Sequence, residues 1–135
     1  MAGIKEVRSR RGHRWVISRG PVVVTLGERW GACVLMSSDD LPVATAKEVA
    51  EAAISASCSL VLVVSPNAEA IHDQIDDVLI QNGADEVVTT WDSGPDGMEK
   101  AIGTVEFTGL AGPGVVRAFT DFPRQLEAAL TSGVS

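Results

Sequence analysis

His72 and Asp76 stand four residues apart in a stretch of helical periodicity, so both project from one face at a spacing able to hold a metal ion. The chain has only two histidines, and a complete ligand set would need carboxylates to finish it. The plainer reading is a surface Asp–His pair on a polar helix face shared with Asp73 and Asp77, and no metal is expected there. Four other polar clusters each follow an apolar run: Ser37-Ser38-Asp39-Asp40, Ser65-Pro66-Asn67, Thr90-Trp91-Asp92-Ser93 and Thr120-Asp121. If those runs are parallel strands, the clusters gather at the carboxyl ends, where open α/β sheets bind their ligands. Helix N-caps alone demand Ser, Thr, Asp or Asn at such places. One cap per helix does not require Asp39 with Asp40, or Trp91 beside Asp92. The candidate binding rim is therefore Asp39, Asp40, Asn67, His72, Asp76, Trp91, Asp92 and Asp121. Its acidity favours a cation or a basic partner over a bare phosphate.

Several chemistries lack their residues. There is no G-x-x-x-x-G-K-[ST] loop and no G-x-G-x-x-G turn, and Gly109 and Gly112 frame a GxxG without basic neighbours. No Gly-x-Ser-x-Gly elbow occurs. A receiver-type phosphoacceptor site would need a lysine after the last strand, and none follows Thr120. Cys33 and Cys58 lie in apolar runs without C-x-x-C spacing, which reads as two reduced, buried thiols. No catalytic residue and no cofactor are expected.

The elements that must position these residues are organised around Leu60–Val64, a run too short for a helix and too apolar for a surface strand. It reads as a strand buried on both faces, the habit of parallel sheets. Asn67 caps the helix that follows, whose inner face carries Ile71, Ile75, Val78 and Leu79, and Gly83 closes it. Glu86–Trp91 is the next strand. Upstream, Trp30–Met36 is a central strand, and Pro42 opens an alanine-rich helix over Val43–Ser57. Downstream, Met98–Phe107 is helical, Val115–Thr120 is the last strand and Pro123–Leu130 a terminal helix. Arg14–Ser18 and Val22–Leu26, separated by Arg19-Gly20-Pro21, predict an N-terminal β-hairpin at a sheet edge. Residues 1–13 predict an irregular, mobile basic arm. The whole, residues 1–135, predicts one α/β domain: a three-layer sandwich with a mostly parallel central sheet and flanking helices.

The formal net charge is −7, yet residues 1–20 carry +5 and the remainder −12. Such asymmetry suits either a polyanion-binding arm or an assembly arm that neutralises an acidic body. The acidic body repels phosphate over a Debye length of about 8 Å, so nucleic acid is not the expected partner. No run reaches the roughly 18–20 apolar residues of a membrane span, and the basic start has no apolar core behind it. A cytoplasmic protein is expected. Trp15, Trp30 and Trp91 make up half of the six aromatic residues, and a tryptophan exposed at a sheet end would suit a partner anchor.

Three stretches carry a resemblance: Trp30-Gly31-Ala32-Cys33-Val34-Leu35, His72-Asp73-Gln74-Ile75-Asp76, and Thr89-Thr90-Trp91 followed by an acidic helix ending Val105-Glu106-Phe107. Over roughly residues 28–107 the chain resembles a small uncharacterised bacterial α/β domain family. The resemblance implies a compact, cytosolic, Rossmann-like domain and no established activity. The function expected is a non-enzymatic protein-binding or self-assembling domain, in its sharpest form an acidic inhibitor or immunity-type protein acting on a basic partner. The alternative is a small-molecule or divalent-metal-dependent enzyme using Asp39, Asp40, Asp92 and Asp121 at the strand ends.

Overall fold

The computed structural model describes residues 4–20, 22, 24 and 27–131. Among these described residues, six strands and four helices follow in the order β1 (Lys5–Arg8), β2 (Arg14–Ser18), β3 (Trp30–Met36), α1 (Val43–Ser55), β4 (Leu60–Val64), α2 (Ala68–Gln81), β5 (Val88–Asp92), α3 (Gly97–Phe107), β6 (Val115–Thr120) and α4 (Pro123–Thr131). The sheet order is β1-β2-β6-β3-β4-β5. β2, β6, β3, β4 and β5 run parallel, and β1 runs antiparallel to β2. The fold is α/β with a mixed, mostly parallel sheet. Among the described residues no helix is long and apolar enough to cross a membrane.

β3 and β4 are buried at every residue because each feeds two apolar clusters by alternation. Cys33, Leu35, Val61 and Val63 join Trp30 and Phe119 in packing against α1 and α2. Ala32, Val34, Met36, Leu60, Leu62 and Val64 pack with Ala101 and Val105 of α3 and with Leu126 and Leu130 of α4. Ile71, Ile75 and Leu79 form the buried stripe of α2, as their spacing predicts. Gly83, at φ +71°, ends that helix, and the Ala84 amide donates back to the Leu79 carbonyl at 2.8 Å. α1 stops two residues earlier than predicted, since Ser57 turns left-handed at φ 52°. Gly31 sits at a register shift in β3, where an added Cβ would lie 2.1 Å from the Gly112 carbonyl oxygen.

The N-terminal region corrects two expectations. Lys5–Arg8, predicted irregular, is a strand: the Ser9 amide donates to the His13 carbonyl at 2.8 Å across a tight turn, and Arg14 grips Glu6 through two bonds of 2.6 and 3.0 Å. An antiparallel N-terminal pair does lie at the sheet edge, but its strands are β1 and β2; with β6 on its other side, β2 has both its neighbours without Val22–Leu26. Pro21, Val23, Thr25 and Leu26 lie outside the described residues, while Val22 and Val24 pack onto the cluster that faces α1 and α2.

Candidate functional site

Among the described residues, the sheet order leaves β5 paired with β4 alone. The Val88 amide donates to the Ser59 carbonyl at 3.0 Å. Strand alternation then turns the N–H and C=O groups of Thr89 and Trp91 outward, away from β4. Of the devices that blunt natural edges, Val-Thr-Thr-Trp-Asp has no lysine, proline or bulge, and its one charge, Asp92, stands at its end. Val88 is 40% and Trp91 38% exposed, whereas Trp15 and Trp30 are fully buried.

Thr89 and Trp91 share the sheet face that carries Val61 and Val63, the side covered by α2. There, His72 and Asp76, one helical turn apart, converge on Thr89. The Thr89 hydroxyl donates to Asp76 Oδ1 at 2.5 Å and lies 3.0 Å from His72 Nε2. Nε2 is also 3.5 Å from Asp76 Oδ2, and Nδ1 is 3.1 Å from Asp73 Oδ1. Two of the three stretches that carry the family resemblance therefore meet at one place. A hydroxyl that donates to a carboxylate is not offering its proton to the imidazole. The cluster is a fastening between edge strand and helix, with His72 turned toward the protein. Among the described residues no group of three or more His, Cys, Asp or Glu side chains is arranged to hold a metal ion.

The strand-end rim does not assemble as one site. Asn67 does not cap α2, contrary to expectation. Its Oδ1 accepts from the Leu41 amide and its amide nitrogen donates to the Leu41 carbonyl, both at 2.9 Å, so it clamps the loop between β3 and α1. The Asp121 carboxylate accepts the Ser38 amide at 3.2 Å and the Ser38 hydroxyl at 2.5 Å. That bond ties together the ends of β3 and β6, where the chain departs toward opposite faces, beside a cavity of about 240 Å³ that Asp121 and Glu48 help to line. Asp92 accepts the Gly94 amide at 2.7 Å and pairs with Lys100 at 3.2 Å. The Gly94 amide and then the Lys100 ammonium hold its carboxyl below the usual carboxylate range. Asp39 and Asp40 are exposed in the loop after β3. A cavity of about 400 Å³ does open at the strand ends, but Ser37, Ser38, Ser65, Ser93 and Gln125 supply its polar side chains and no carboxylate lines it.

Among the described residues, two buried charged side chains escape the sequence reading. Glu106, on the inner side of α3, accepts the Trp15 indole N–H at 3.1 Å, with His13 Nδ1 2.9 Å from the same carboxylate. Its signal is a carboxylate four residues after Ile102 on the apolar stripe. Arg117 is 4% exposed in the middle of β6, stacked 4.3 Å over Phe119, and its guanidinium donates to the Val16 carbonyl at 3.1 Å. Burial pulls its pKa below the ordinary value, with Glu28 3.8 Å away as counter-charge. A lone charge inside Val115–Thr120 is the available sign. Cys33 and Cys58 are buried free thiols, as expected, and burial pushes Cys58 up to about 11.

Charge completes the geometry. Residues 68–96 hold eight acidic side chains and no lysine or arginine, all eight at least partly exposed around α2 and β5. The chain matches no curated protein and no solved structure. Residues 14–104, from β2 into α3, match the domain of unknown function DUF7684, a span that contains Trp30–Leu35, His72–Asp76 and Thr89–Trp91 and stops short of Val105-Glu106-Phe107, and the chain belongs to that family.

Proposed function

We propose that the chain is a non-enzymatic binding module that takes an extended, basic segment of another protein chain along the open edge of β5. The observation that carries this reading is the edge itself: outward amides and carbonyls at Thr89 and Trp91, a half-exposed tryptophan, and no lysine, proline or bulge in the strand. The acidic surround supplies the complementary field, which speeds encounter and rejects acidic segments. Four backbone bonds at about 1 kcal/mol each support only roughly millimolar affinity. A tryptophan anchor worth about 2 kcal/mol or more brings this to the order of tens of micromolar. An inhibitor of a basic protein is one form such a module takes. The architecture we read around the edge is a three-layer sandwich whose far edge is formed by the hairpin of β1 and β2. We assign the protein to the cytoplasm, a reading that two unpaired buried thiols support.

The alternative, an enzyme with its site at the carboxyl ends of the strands, draws on the serine-lined cavity there. A divalent-metal version would need Asp39, Asp40, Asp92 and Asp121 to converge, and Asp92 and Asp121 each have partners of their own.

The test is titration of a lysine- and arginine-rich extended peptide into the full chain by calorimetry, at low and high salt. Saturable binding that weakens with salt and is lost in Trp91→Pro supports the reading. Binding that survives Trp91→Pro, or equal binding of an acidic peptide of the same length, overturns it. Tight divalent-metal binding abolished by Asp92→Ala would move the function to the strand ends.

A further inference from the structure

The two edges of the sheet carry opposite charge. Residues 4–20, which form β1, β2 and the turn between them, hold six lysine or arginine side chains against a single acid, Glu6, and Arg14 neutralises that acid directly. The acidic stretch, residues 68–96, surrounds β5 at the other end of the sheet order. Five inter-strand spacings of about 4.8 Å separate β1 from β5, roughly 24 Å. That is about three Debye lengths at physiological salt, so within one molecule the two sets barely interact. Across an edge-to-edge contact they would be neighbours.

We infer that the segment taken by the β5 edge is the β1 edge of a second copy of this chain, joined head to tail; this rests on the binding role proposed for β5. Three edge pairings are available to two copies. Joining β5 to β5 brings acid against acid, and joining β1 to β1 brings base against base. Only β5 to β1 joins opposite potentials. Direction fits as well. β1 runs opposite to the other five strands, so a copy set beside β5 in the same orientation presents β1 antiparallel to it, the geometry with straight hydrogen bonds. The inward bond of the Ser9 amide fixes the alternation of β1, turning the amides of Glu6 and Arg8 outward. They would meet the outward groups of Thr89 and Trp91. Because the contact is heterologous and each sheet twists by about 20° per strand, repetition generates an open, screw-related assembly and not a closed dimer.

Sedimentation velocity on the full chain, at rising concentration and at low and high salt, is the test. Wild type is expected to form a growing series of species at low salt that collapses toward monomer at high salt. Trp91→Pro, which removes an outward N–H and leaves the β4 ladder intact, and separately Lys5→Glu with Arg8→Glu, are each expected to stay monomeric. Mixed in equal amounts they are expected to form a heterodimer of twice the monomer mass and stop there, since each retains one working edge. Trp91→Lys replaces Trp91→Pro if circular dichroism shows the proline variant unfolded. Assembly by either variant alone, a wild type that stops at a dimer, or a mixture that stays monomeric overturns the inference. A monomeric wild type that still captures the basic peptide through Trp91 overturns self-assembly and leaves the binding role standing; loss of both overturns both.

Discussion

The Thr89 hydroxyl stands 3.0 Å from Nε2 of His72, and that relation fastens the last strand of the sheet to the helix beneath it. An edge strand has one neighbour to hold it, so side-chain ties carry more of its order than they would in a central strand. Thr89→Val keeps the β-branched shape and removes the hydroxyl from both His72 and Asp76. It is expected to cost about 1 kcal/mol of global stability in urea unfolding, and to weaken peptide capture by β5 by a larger factor than global unfolding accounts for. Unchanged capture would make the fastening irrelevant to the edge.

Glu106 accepts the indole N–H of the fully buried Trp15. Glu106→Ala removes the acceptor and leaves that donor without a partner in the core, a loss expected at about 1–3 kcal/mol. Glu106→Gln retains an acceptor oxygen and should recover most of it. Denaturant midpoints read by tryptophan emission separate the two variants.

Asp92 makes stability depend on pH. Its folded pKa is depressed, first by the Gly94 amide and then by Lys100, so the stability it contributes is present above the unfolded value and is lost as pH falls through the folded one. Asp92→Asn is therefore expected to be less stable than wild type at neutral pH. The two stability curves should converge below about pH 4. A constant offset across that range would assign the loss to packing.

Two glycines should respond in opposite directions to alanine. Gly103 lies within α3, and an added Cβ there would meet nothing within 4 Å, so Gly103→Ala is expected to stabilise by about 0.5–1 kcal/mol. Gly31→Ala drives a Cβ to within 2.1 Å of a backbone oxygen, and is expected to destabilise by about 1–3 kcal/mol. Melting temperatures of both variants decide the pair.

The legible parts of the fold are those that local pattern specifies. Leu60–Val64 as a doubly buried strand and the Ile71, Ile75, Leu79 stripe follow from period alone, and both stand in the structure. Pairing partners are a different matter. Arg14–Ser18 is a strand as its composition predicts, but its neighbours are set by β6, which arrives about a hundred residues later. The same limit applies at the site. Asn67 has the residue type of a cap and is spent on Leu41 across the loop, a contact that only the packed sheet creates. His72 and Asp76 are visible as a pair from their spacing, whereas Thr89, which joins them, becomes a neighbour only when β5 is laid beside β4. The rim at the strand ends fails for the reverse reason: shared position at one end of a sheet brings residues to the same side without bringing them together.

Amide hydrogen exchange of the full chain, with and without a saturating basic peptide and at high enough dilution to keep the free chain monomeric, tests the central claim most directly. In the free chain the amides of Thr89 and Trp91, which point away from β4, should exchange quickly, and those of Val88 and Thr90 slowly. With peptide bound, Thr89 and Trp91 should become protected while the distant edge is unchanged. Binding that leaves the Thr89 and Trp91 amides as fast as before would contradict strand addition at β5.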